Sequence, residues 1–154
     1  MPHGAAVEVR IGSVEDVQAL AALRYEWRVG ERGERGLDPV SFEAALSEWM
    51  RGHTDHIPFL ALRGSTPIGM AWLAVVDRVP GPEQFTRRSA YVQSVYVVEH
   101  ERAAGVGSKL MELVTDHARD MGLGYLAVHP SERAFSLYHR MGFEGTGRVL
   151  ELRF

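Results

Sequence analysis

Ala90-Tyr-Val-Gln-Ser-Val-Tyr-Val-Val98 leads through Glu99-His-Glu into Arg102-Ala-Ala-Gly105-Val-Gly107-Ser-Lys109, and the folding of this stretch decides the architecture. Its first part is rich in β-branched and aromatic residues and reads as the strongest strand of the chain. Downstream, Val106, Leu110, Leu113, Val114, Ala118 and Met121 keep a 3.6-residue period. That spacing predicts a helix from about Gly105 to Met121, ended by Gly122 in the left-handed position. A glycine-bearing turn joins the two. Such a turn exposes unpaired backbone N–H groups and the positive end of the helix dipole. Glycine also lets the backbone approach a phosphate closely, so the turn is a ready anion site. Several charge-assisted bonds of roughly 1.5–3 kcal/mol each can hold a pyrophosphate there. Read alone, Gly105 and Gly107 serve equally well to let the helix pack tightly on the strand.

Working outward, Val7–Ile11 alternates apolar and charged residues as an outer strand does. Ser13 with Asp16 resembles a capping box, and Val17, Leu20, Ala21 and Tyr25 share one face of the helix it opens. Gly30–Gly36 reads as a loop. Asp38-Pro39 or Ser41 starts a second helix with Phe42, Ala45, Leu46 and Trp49 inward. These two helices are expected to form a flap over one edge of the sheet. Ile57–Arg63 and Ile68–Val76 form a hairpin about Gly64–Pro67, and Arg78–Arg88, with Pro80, Gly81 and Pro82, is a loop. After the long helix come a strand at Tyr125–Val128, a helix at Ser131–Met141 closed by Gly142, and a final strand at Arg148–Phe154. The order predicts an α/β (α+β) fold built on a mixed sheet.

Its 154 residues fit one domain spanning 1–154, large enough for a proper core. The chain has no cysteine, which removes disulfides, thiolate ligands and a thiol nucleophile. No metal is expected. No apolar run reaches the roughly 20 residues that cross a bilayer, and Met1–Arg10 does not read as a signal peptide, so the expectation is a cytoplasmic protein without membrane attachment. A net charge of −3 argues against nucleic-acid binding through phosphates. Residues 1–60 carry six Arg and ten Asp/Glu, a net of −4, which favours a neutral or cationic partner over a polyanion.

Two familiar phosphate motifs do not fit the turn. A dinucleotide fingerprint requires glycine where Leu110 stands, and a P-loop requires Gly-Lys-Ser/Thr rather than Gly107-Ser-Lys109. A third pattern fits. Arg-x-x-Gly-x-Gly after a Val-rich strand resembles the pyrophosphate arm of the GNAT superfamily of acyl-CoA-dependent N-acetyltransferases. Ala134-Phe-Ser-Leu137-Tyr138-His-Arg-Met-Gly142-Phe143 is similar to that family's Ala-x-x-Leu-Tyr-x-x-x-Gly-Phe segment. Together these cover about residues 91–147.

The resemblance implies a GNAT-like mixed central sheet with two N-terminal helices and a splayed parallel strand pair holding coenzyme A. It further implies that Arg102, Ala103, Ala104, Gly105, Val106, Gly107 and Ser108 wrap the pyrophosphate. Backbone groups of Val95 and Val97 would pair with the pantetheine as an added strand does. Tyr138 maps onto the general acid, its phenol serving the departing thiolate. The cosubstrate implied is acetyl-CoA. Ala103 stands where many relatives have Gly. Ser131 stands where many have Asn, and both a ligand contact and a helix cap are open for it. The strand before the turn lacks the Glu or Asp that several relatives use as base, leaving Glu26, Asp77, Glu83, His129 or water. The acceptor is a small-molecule or peptide amine, and exposed sheet edges leave a homodimer open. A catalytically silent acyl-CoA-binding module is the alternative reading.

Overall fold

The computed structural model describes residues 4–154. Strand β1 (Val7–Ile11) runs into a single 3-10 turn and helix α1 (Val17–Tyr25). The predicted capping box is present: the Glu15 amide donates to Ser13 Oγ at 3.2 Å, and the Ser13 amide donates to Asp16 Oδ2 at 2.9 Å. Helix α1 does not stop at Tyr25 but widens into a π-helical segment over Glu26–Glu31, where the Arg32 amide reaches back to the Trp27 carbonyl at 3.1 Å. The predicted loop is thereby shortened at its start. Helix α2 (Pro39–Gly52) opens on Asp38, whose carboxylate accepts from the Ser41 amide at 2.9 Å, with proline at the position where no N–H is needed.

Strands β2 (His56–Arg63), β3 (Thr66–Arg78) and β4 (Arg87–Val97) follow as an antiparallel meander, then α3 (Val106–Asp120), β5 (Leu126–Val128) and α4 (Phe135–Arg140). The sheet order is β1-β2-β3-β4-β5, antiparallel except for the parallel β4–β5 pair. Ile68–Ala74 of β3 is buried without a break. A central strand covered on both faces shows that continuous apolar run, because neither side meets water. On one face α3 seats Leu110, Met111 and Val114, each at 0% exposure, and its His117 meets Phe59 edge-on. On the other, α1 seats Leu20 and Leu23, and α2 brings Trp49 edge-on to Trp72.

Three expectations change. The N-terminal helices do not cap an edge: α1 packs across β3 and β4, in the middle of the sheet. The inward side of α2 is set by Phe42, Leu46 and Met50, while Ala45 and Trp49 are exposed. The final strand does not form. Residues Arg148–Phe154 belong to no ladder, and Val149, Leu150, Leu152 and Phe154 stand exposed, because alternation supplies a strand's faces but not its partner.

Candidate functional site

The parallel ladder between β4 and β5 consists of Ala90↔Leu126, Tyr91↔Ala127 and Val92↔Val128 only. Beyond Val92, β4 runs on to Val97 while the chain after Val128 turns away, so the two strands part. Among the described residues the backbone from Gln93 to Val97 thus has no strand partner on the β5 side. Within that stretch the β3 register slips: Met70 faces Tyr96, yet Trp72 faces Gln93, which places a β-bulge at Ser94–Val95. Ser94 holds φ at +56°, and the Arg24 guanidinium of α1 donates to its Oγ at 2.6 Å. Val95 and Val97, the predicted backbone partners of a ligand, are half-buried on the free side of this strand.

The turn after β4 ends on Gly105 at φ +86°, which caps α3 without any side-chain hydrogen bond. A Cβ there would meet nothing within 4 Å, so the helix start opens on free space. Val106, Gly107 and Ser108 form the first turn, whose amides have no acceptor within the helix. Ala103 and Ala104 are exposed beside it. Ala103 takes φ +62°, a left-handed conformation that costs an L-residue roughly 1–2 kcal/mol. Arg102 points away from the helix start. Its Nε donates to the Val97 carbonyl at 2.8 Å, its Nη2 pairs with Glu31 at 2.6 Å, and its guanidinium covers the Tyr96 ring at 5.6 Å. At this turn it is therefore backbone, rather than the Arg102 side chain, that is open to the space at the helix start.

Helix α4 closes on this region. A Cβ on Gly107 would touch Leu137 Cδ2 at 3.5 Å, so the residue before Tyr138 packs on the first turn of α3. Tyr138 itself is 4% exposed, edge-on to Phe143 at 5.5 Å, and burial pushes its phenol up to about 12. Ser131 starts the 3-10 turn before α4, its carbonyl accepting from the Ala134 amide at 3.0 Å, but its side chain makes no capping bond, and it is exposed. Glu26, Asp77, Glu83 and His129 are all exposed, and His129 Nδ1 lies 3.5 Å from a Glu151 carboxylate oxygen. Nothing in the geometry singles out one of them as a base.

Sequence reasoning missed two participants. Arg24 falls four residues after Leu20 and three before Trp27, on the inward stripe of its helix. A charge on that stripe was the available signal. Tyr96 carries no local signal that sets it apart from the other aromatic residues of its strand. It stacks on Trp27 at 6.0 Å, its hydroxyl is buried, and burial followed by Glu26 and Glu31 pushes it up to about 12. No described helix is long and apolar enough to cross a membrane.

With the splay, the bulge and the glycine-capped helix in view, comparison with known proteins is informative. Three solved structures share the fold closely. A predicted acetyltransferase with acetyl-CoA from Clostridium acetobutylicum superposes with a TM-score of 0.76 at 19% identity over 96% of each chain. A GCN5-related N-acetyltransferase from Ralstonia eutropha gives 0.72 at 22% identity, over 96% of this chain and 99% of its own. A ribosomal-protein-alanine N-acetyltransferase from Brucella melitensis gives 0.74 at 16% identity, over 97% and 99%. No curated protein gives a significant match. The model of the acetyltransferase (GNAT) family matches residues 20–143, from the inward stripe of α1 to the Phe that packs on Tyr138. The chain belongs to the acetyltransferase (GNAT) family.

Proposed function

We propose that this protein transfers the acetyl group of acetyl-CoA directly to a primary amine. The observation that carries the reading is the β4 backbone beyond Val92, without a strand partner toward β5 and leading straight to a helix N-terminus that no side chain caps. One extended ligand with amides along its length and phosphates at one end fits both features. Val95 and the Val97 amide offer it strand-like pairing, while the Val97 carbonyl is held by Arg102, and the turn from Arg102 to Ser108 offers amides to the pyrophosphate. The open space at Gly105 leaves room for it.

Acetyl-CoA supplies an acyl group already activated as a thioester. In the proposed transfer the amine nitrogen attacks the thioester carbon, the C–S bond breaks, and the sulfur leaves as thiolate. Tyr138, protonated at neutral pH, donates at that sulfur. The proton lost by the amine passes to water or to one of the exposed groups Glu26, Asp77, Glu83 and His129. With no cysteine in the chain, the acyl group has no protein thiol to rest on, in keeping with direct transfer.

Calorimetry tests the cosubstrate. Coenzyme A and acetyl-CoA should both bind, with NAD and ATP at least tenfold weaker. Tighter binding of NAD or ATP would overturn the assignment.

A further inference from the structure

A cavity of about 230 Å³ opens between the end of α1, the π-helical segment, the loop after it and the start of α2. Arg24, Arg28, Arg35, Glu34, Tyr25 and Phe42 are among the residues that line it. The acidic excess of residues 1–60 does not gather here: three guanidinia meet one carboxylate, a local balance of 3 − 1 = +2. That single carboxylate is already engaged, since Glu34 pairs with Arg28 at 2.5 Å. Arg24 forms no ion pair among the described residues. Its one hydrogen bond goes to the neutral hydroxyl of Ser94 at the bulge.

Holding a hydroxyl requires a donor, which an amide side chain supplies without charge. The charge on Arg24 is therefore surplus to that task, and it is held under unfavourable conditions. Burial, and then the neighbouring Arg28, weaken its hold on its proton, and Glu34 offsets this only in part. Both guanidinia lie over the same Trp27 ring, at 5.8 and 5.5 Å. Two half-buried cations beside one ring, with one carboxylate between them, favour the arrival of a second anion. Guanidinium forks match carboxylate and phosphate oxygens. The cavity is slightly smaller than the roughly 300–1,000 Å³ of drug-sized sites, which suits a small head group.

The geometry points to an acceptor that carries an acidic group: we infer that the cavity beside Arg24 binds the carboxylate or phosphate of an amine whose nitrogen reaches toward the Ser94 bulge. This deepens the acetyl-transfer reading and rests on it for the word acceptor, while the binding itself is testable separately. The charge of residues 1–60 favours a neutral or cationic acceptor over a polyanion, and an amine that also bears a single carboxylate, a neutral zwitterion, fits both that balance and the local charge.

The test compares matched amines on the coenzyme A-saturated protein by calorimetry: O-phosphoethanolamine against ethanolamine, and β-alanine against ethylamine. The acidic member of at least one pair should bind ten- to a hundredfold more tightly, and the pair that shows it distinguishes phosphate from carboxylate. Arg24→Gln should erase that preference, and Arg24→Lys should keep part of it. Glu34→Gln, at an exposed position, should strengthen it several-fold by freeing Arg28. Equal binding within both pairs would overturn the inference, as would a preference that survives Arg24→Gln. If Arg24→Gln does not fold, Glu34→Gln decides, and no gain there counts against the site. Failure of coenzyme A itself to bind would instead sink the transfer reading; the amine pairs are then run on the free protein, and the same outcomes decide.

Discussion

The Tyr138 phenol sits at 4% exposure with burial pushing it up to about 12, so it keeps its proton across the neutral range. A protonated phenol can serve a thiolate that appears only as the C–S bond breaks, and such a contact stabilises the transition state more than the bound ground state. Tyr138→Phe removes the hydroxyl and keeps the ring against Phe143. Turnover should fall about 10²-fold, the lower end for general acid catalysis, while acetyl-CoA affinity moves by less than about 1 kcal/mol. Unchanged turnover, or a loss matched by a drop in stability, would make Tyr138 a packing residue. The same shift sets a sign for pH. With the folded value raised above the ordinary one near 10, the stabilising contribution is full below pH 10 and is lost as pH climbs toward 12. Tyr138 was legible because a motif surrounds it. Arg24 was not, because its meaning depends on Ser94, seventy residues away, and on a bulge that no local pattern announces.

At the scale of elements, local chemistry carried most of the outcome. The Ser13 and Asp38 caps, the period of α3 and the glycine after it can each be read from a few adjacent residues. The splayed β4–β5 pair was expected from the family resemblance; what escaped needed a partner: the bulge at Ser94–Val95 depends on the register against β3, and Arg148–Phe154 has a strand's alternation without a ladder. The turn before α3 shows how such an element can also carry strain. Ala103 at φ +62° costs roughly 1–2 kcal/mol, against about 0.5–1 kcal/mol for the extra freedom that glycine has in the unfolded chain. Ala103→Gly should therefore stabilise the protein by about 0.5–1 kcal/mol net, or roughly 1–4 °C in Tm at this chain length. Thermal unfolding followed by circular dichroism checks it. A lower Tm would show that the turn relaxes in solution to a backbone that suits alanine.

Across the whole molecule, the open strand pair leads into the glycine-capped helix, and Gly107 and Leu137 join that helix start to the helix that bears Tyr138. A ligand that spans them binds only the folded arrangement, so it should stabilise the whole cooperative unit rather than one segment. At a hundred times its Kd, coenzyme A should add about 2.7 kcal/mol, or roughly 5–11 °C in Tm. Two substitutions at Gly105 separate backbone strain from charge. Gly105→Ala and Gly105→Asp both force a side chain onto φ +86°, and a Cβ meets nothing there, so both should lower the Tm of the free protein by a few degrees at most, aspartate less than alanine because its charge suits the helix N-terminus. Only aspartate brings a negative charge to the helix N-terminus, where the pyrophosphate would lie. Gly105→Ala should thus keep most of the ligand-induced rise, and Gly105→Asp should lose it. If both variants kept the rise equally, the phosphates would lie elsewhere. If both lost it equally, the turn would act through its shape, and the charge of the helix end would contribute little to binding.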